Sequence, residues 1–148
     1  MSGVQALLLP VGGDLYALPV DWVREVVAAP TVTRLATAPA VVLGLFNLRG
    51  QIVPLLDTAA LLGIGAVETT LFTVVVNCPQ GPVGLAATGF PQRAVLDTSI
   101  GPSELPGTTG LYQVDQRVAA CLDPAALLTP ERVGGQGFHS DLAAIGVD

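Results

Sequence analysis

The sequence predicts an all-β protein with a few short helices, built as two small five-stranded barrels packed against each other. Three observations carry this. Ten apolar runs of strand length follow one another, rich in Val and Leu, and none sustains a helical period. Turn residues punctuate them; 17 Gly and 12 Pro are enough to break the chain into short elements but too few for a low-complexity chain. The second half also echoes the first at an offset of 66 residues.

In chain order, runs 4–11 and 14–20 flank a turn at Gly12–Asp14, and run 23–28 follows Trp22. Runs 42–48 and 51–56 flank Arg49–Gln51, and runs 70–78 and 82–88 flank Cys78–Pro82. Runs 93–98, 110–115 and 117–122 complete the set. Two helices are signalled, each about two turns long. Asp57 precedes TAALL and Asp123 precedes PAALL, where an Asp cap satisfies orphan N–H groups and a first-turn Pro supplies a fixed φ.

The offset of 66 aligns Gly44–Leu48 (GLFNL) with Gly110–Val114 (GLYQV), then QIVPLLDTAALL with RVAACLDPAALL. Tyr16–Leu18 falls on Val83–Leu85 at 67. Duplicated short strands that close into barrels lose their unpaired edges and share a core neither could bury alone. The organisation expected is one domain over 1–148. It comprises a first barrel over 1–66, whose first strand can be shared, a second over 67–130, and a flexible tail over 131–148. Leu45, Ile52, Val75 and Val118 should point inward, with Thr70, Gln92 and Gln116 exposed.

Composition excludes several functions. The chain has 148 residues and a net charge of −6, its six basic residues are all Arg, and a phosphate-neutralising patch for nucleic acid is missing. Without Lys there is no P-loop clamp and no Schiff base. His139, the only His, sits in a Gly-rich tail, unsuited to a rigid catalytic relay. Cys78 and Cys121 lie far apart in apolar stretches and read as small buried thiols of a reducing cytosol; two Cys and one loose His do not make a structural zinc site. The charge-free stretch Thr69–Gln92 is long enough to cross a bilayer, but NCPQGP in its middle turns it into two strands. The N-terminus lacks the basic region of a secretory signal. A cytoplasmic protein without cofactor, metal or membrane insertion is expected.

YALPVDWVREVV, followed by LGLFNLRGQIVPLLDTAALLG, resembles the first half of the CheW family of chemotaxis coupling proteins, with Asn47, Leu48, Arg49 and Gly50 as the signature and VPLLD after it. The resemblance runs from about Leu7 to Leu128. It implies a pair of five-stranded SH3-like barrels and an adaptor joining the cytoplasmic tips of chemoreceptors to the regulatory domain of a CheA-type histidine kinase, in assemblies that close into rings at membrane-associated arrays. It places Val23, Glu25, Gly44, Asn47, Arg49 and Gly50 at the receptor and kinase interface. The second half departs from the family: AATGFPQRAVLD stands where members carry an acidic, Val-rich strand, and VGGQGFHSDLAAIGVD replaces the usual C-terminal helix.

Residue chemistry supports a special place for Arg49. It ends a strand beside a tight turn in which Gly50 supplies a permissive backbone, whereas the second copy carries Asp115 and Gln116 there. The fold therefore does not demand an arginine. Arg49 either pairs with Glu25 or Asp57 and organises the barrel, or shapes a receptor-facing groove, and both can hold. Trp22 is core or covered surface, with an interface role as the alternative. Two further readings stay open: a scaffold of the same fold serving pilus motility or another kinase array, and an aspartic hydrolase. LLDTAA resembles the LLDTGA signature of retroviral-type peptidases, and Asp123 would be the second carboxylate. Ala59 replaces the required Gly and the second copy reads DPA, which speaks against the hydrolase.

Overall fold

A computed structural model describes residues 3–133. Eleven strands form two sheets: β1 (Val4–Val11), β2 (Asp14–Pro19), β3 (Val23–Ala28), β4 (Val42–Leu48), β5 (Gln51–Leu56), β6 (Phe72–Cys78), β7 (Gly81–Ala87), β8 (Gln92–Leu96), β9 (Ser99–Pro102), β10 (Thr108–Val114) and β11 (Arg117–Leu122). The helices are α1 (Thr58–Leu62) and α2 (Pro124–Leu127), with a 3-10 turn at Val20–Trp22. All ten sequence runs appear as strands, and β9 is one that its short, Gly- and Pro-containing sequence did not announce.

One sheet has six strands in the order β8-β1-β2-β11-β10-β9, and the other has five in the order β3-β6-β7-β5-β4. The expected division at residue 66 is corrected by this pairing. Hairpin β1–β2, from the first repeat, lies beside strands of the second, with β2 parallel to β11; hairpin β6–β7, from the second repeat, lies beside strands of the first, with β7 parallel to β5. The five-stranded sheet is thus contiguous over 23–87, and the six-stranded sheet combines 4–19 with 92–122. Each repeat gives its hairpin to the other's sheet. Local sequence carries the same pairing pattern whichever partner sheet receives the hairpin, so the offset of 66 survives while the boundary does not.

Alternate side chains of the central strands feed different cores, which is why their sequences are continuously apolar. On β1, Leu7, Leu9 and Val11 enter the layer between the sheets, whereas Ala6 and Leu8 face the interior of the six-stranded sheet. On β6, Val74 and Val76 enter the shared layer and Val75 faces the other interior with Phe46, Val53 and Leu55. Leu45 and Val75 are buried and Ile52 packs partly buried against the shared layer. Val118 departs from expectation at 48% exposure, because its partner Gln113 lies near the end of the β10–β11 hairpin, beyond the reach of the core. Gln92 and Gln116 are exposed, but Thr70 is half-buried. Residues 132 and 133 do not belong to the expected flexible tail: Val133 is buried in the shared core and Arg132 donates to the Leu61 carbonyl at 3.0 Å. Residues 134–148, with His139, lie outside the described residues.

Candidate functional site

The turn Leu48–Gln51 is a two-residue hairpin loop, with Leu48 paired to Gln51 across it. Arg49 has φ 51° and Gly50 φ 89°, the left-handed pair that matches strand twist. An arginine held there costs about 1 kcal/mol relative to glycine. Asn47 offsets part of this: its Oδ1 accepts from the Gly50 N–H at 2.7 Å. The second repeat shares the first half of this geometry: Asp115 has φ 55°, without a left-handed residue after it, and Gln113 Nε2 donates to the Asp115 carbonyl at 3.0 Å. The amide shared by GLFNL and GLYQV is therefore a turn residue in both copies.

The arginine's partner is Glu25, not Asp57. Arg49 Nη1 donates to Glu25 Oε1 at 2.9 Å, and Nη2 donates to Oε2, a bidentate ion pair. Beside it, Arg24 Nη1 donates to Gln51 Oε1 at 3.4 Å. Glu25 and Arg24 sit on β3, whereas Arg49 and Gln51 bound the β4–β5 turn. β3 and β4 are the two outermost strands of the five-stranded sheet, so these side chains clasp its edges together. Hydrogen bonding to Arg49 lowers the Glu25 carboxyl below its ordinary value, and hydrogen bonding to Glu25 in turn raises the Arg49 guanidinium. The Arg49 side chain is 66% exposed, presenting a charged and oriented group to solvent. Sequence reasoning named Arg49 and Glu25 but missed Arg24 and Gln51, because a contact between sheet edges leaves no local periodicity.

The other candidates fall into different places. Asn47 and Gly50 are exposed beside Arg49, and Val23 packs half-buried against the shared core. Gly44 is buried: a Cβ there would stand 2.6 Å from the Thr33 carbonyl oxygen and 2.3 Å from Val32 Cγ1. It admits the 32–33 segment, whose Thr33 bridges to Leu45, and presents no surface of its own. Trp22 is half-buried against the shared core.

The two aspartates that start helices differ. Asp57 is buried at 4% exposure, and its carboxylate accepts from the Ala60 N–H at 3.0 Å and from the Val67 N–H at 3.1 Å. It caps α1 and pins the following loop, so its oxygens are engaged by backbone. Asp123 makes no side-chain cap bond, which corrects its reading as a cap. The Ala126 and Leu127 N–H groups instead bond the Asp123 carbonyl, and Pro124 has no N–H to offer. Both cysteines are free; Cys121 is buried and Cys78 only half-buried, and burial pushes the Cys78 thiol up to about 11. Among the described residues no helix is long and apolar enough to cross a membrane.

Comparison with known proteins finds the CheW-like domain model matching residues 5–132, across both sheets. Similar curated proteins include a chemotaxis protein CheW of Klebsiella aerogenes, 30% identical over 88% of this chain and 85% of that protein. Another, the chemotaxis protein CheW of Rhizobium meliloti, is 35% identical over 51% of this chain and 48% of that protein. Among solved structures, the scaffolding protein TtCheW from Thermoanaerobacter tengcongensis superposes with a TM-score of 0.71 at 21% identity, covering 81% of this chain and 88% of that one.

Proposed function

The chain belongs to the CheW-like domain family of chemotaxis coupling scaffolds, and from that premise we propose that it joins the cytoplasmic tip of a chemoreceptor to the regulatory domain of a CheA-type histidine kinase. The observation that carries the reading is the Arg49–Glu25 clasp: the family's signature turn is exposed, charged and held in a strained backbone at a position where the second repeat has Asp115. An exposed bidentate pair at a sheet mouth adds little to stability and fixes the direction of a donor-rich group, which is what partner recognition uses. Two similar but unequal sheets offer two different docking ends, so contacts are heterologous and close into rings when the rotation permits.

Coupling in this reading is mechanical. Receptor state changes how the adaptor holds the kinase through contacts that differ between the two states, in the cytoplasm at the receptor array, with no cofactor and no reaction centre. Asp57 supports this, since a carboxylate bonded to two backbone N–H groups is a structural part. Reconstitution tests it. Adding the chain to a CheA-type kinase and receptor from the same cell should make autophosphorylation respond to receptor ligand, and Arg49→Ala should weaken that response while the protein stays folded. An unaltered response with Arg49→Ala contradicts the role of the turn, and reproducible turnover by the purified chain, abolished by Asp57→Asn, contradicts the scaffold.

A further inference from the structure

The two sheets close differently. Glu25 on β3 faces Val75 of β6, and Gln92 on β8 faces Leu8 of β1, at matching places in the two repeats. Arg49 and Asp115 are likewise the matching left-handed turn residues. Where the five-stranded sheet has the Glu25–Arg49 pair, the six-stranded sheet therefore has Gln92 and Asp115. Among the described residues Arg49–Glu25 is the one ion pair, so the second sheet is unclasped. Two open grooves of about 190 and 400 Å³ lie at this place, both lined by Leu8, Gln92, Val114 and Asp115.

What holds the edges of that sheet is the segment 92–114 itself. β8 and β9 are opposite ends of the strand order yet follow each other in the chain, so the segment bridges the sheet's two edges. Its strands are the least buried of the sheet, and β8 pairs within it only with β1. Beneath lies an interior of Ala6, Ala17, Ala119 and Cys121 with Leu8 and Leu15, to which the segment adds one fully buried side chain, Leu96; its alanines bury little apolar area. The matching interior of the five-stranded sheet holds Phe46, Leu48, Val53 and Leu55.

We propose that residues 92–114 form a strap that swings off the six-stranded sheet, withdrawing Leu105 and Leu111 from the rim of the shared core, while the five-stranded sheet and the fully buried residues of that core stay folded. Low burial and a lean interior place this segment at the low end of local stability. The opening uncovers Cys121, which is 7% exposed, pairs through Gly110 with the strap's β10 and supplies a built-in probe.

The test uses the full chain carrying Cys78→Ser, so that a disulfide thiol reagent reads Cys121 alone. Reaction should proceed without denaturant, with a denaturant slope below about half that of global unfolding followed by far-ultraviolet circular dichroism. A second variant adds Gln5→Cys and Val95→Cys, which face each other across β1 and β8, and their disulfide should slow the reaction at least about tenfold. Labelling with the full slope of global unfolding, or at a rate the disulfide leaves unchanged, overturns the proposal.

Discussion

Asp57 and Asp123 occupy the same place in the two repeats, and replacing each by alanine should have unequal consequences. Asp57→Ala removes the cap on α1, worth about 1 kcal/mol. It also strands the Val67 N–H, which the carboxylate accepts at 3.1 and 3.2 Å, for about 1–2 kcal/mol more at this half-buried site. The sum, about 2–3 kcal/mol, lowers the melting temperature by roughly 5–10 °C for a chain of this size. Asp123→Ala removes no side-chain cap bond and should stay within about 0.5 kcal/mol. Thermal and urea unfolding of both variants, followed by circular dichroism, reads the contrast. Equal losses would refute the reasoning, because they would mean that the duplicated aspartates act alike and that the bonds to Ala60 and Val67 carry no weight.

Other expectations follow from the same contacts. Gly84→Ala places a Cβ 2.6 Å from Thr73 Cγ2 and 2.9 Å from Phe46 Cε1, so it should destabilise the chain by about 1–3 kcal/mol in urea unfolding. Thr73→Val should be neutral or stabilising by the same measure, since the buried Thr73 hydroxyl has no partner. Glu25 is held below its ordinary value of 4.5 by Arg49, so its contribution, small for an exposed and screened pair, is present at neutral pH and is lost as pH falls through the lowered value; stability curves of the parent and Glu25→Gln should differ slightly at pH 7 and converge in acid. The Cys78 thiol, raised from 9.0 to about 11 by burial, ionises earlier in the unfolded chain than in the folded one. Native Cys78 should therefore alkylate more slowly at pH 8 than a free thiol, and its contribution to stability should fall as pH rises from 9 toward 11.

Strand positions were legible because both faces of β1, β2, β5, β6, β7 and β11 are covered, leaving apolar runs bounded by Gly, Pro and Asn or Asp turns. The repeat was legible too, down to the amide that supports each left-handed turn. The exchange of hairpins was not, because a strand's own pattern does not say which copy of an equivalent edge it pairs with. At the site, Arg49 stood out as the difference between copies, and Glu25 was one of its two nearest candidates in charge. Gly44 was named as an interface position by resemblance, and its burial was not legible, because what covers it, Val32 and Thr33, comes from a segment whose sequence carries no strand signal. Asp123 shows the reverse limit: the letters announce a cap, and the backbone of Asp123 itself takes the bond instead.

The most direct test of the central claim is a calorimetric titration of the purified chain with the regulatory domain of a CheA-type kinase from the same cell, repeated with Arg49→Ala. A coupling scaffold predicts saturable binding of defined stoichiometry by the parent. Absence of any saturable binding by a folded parent chain would contradict it.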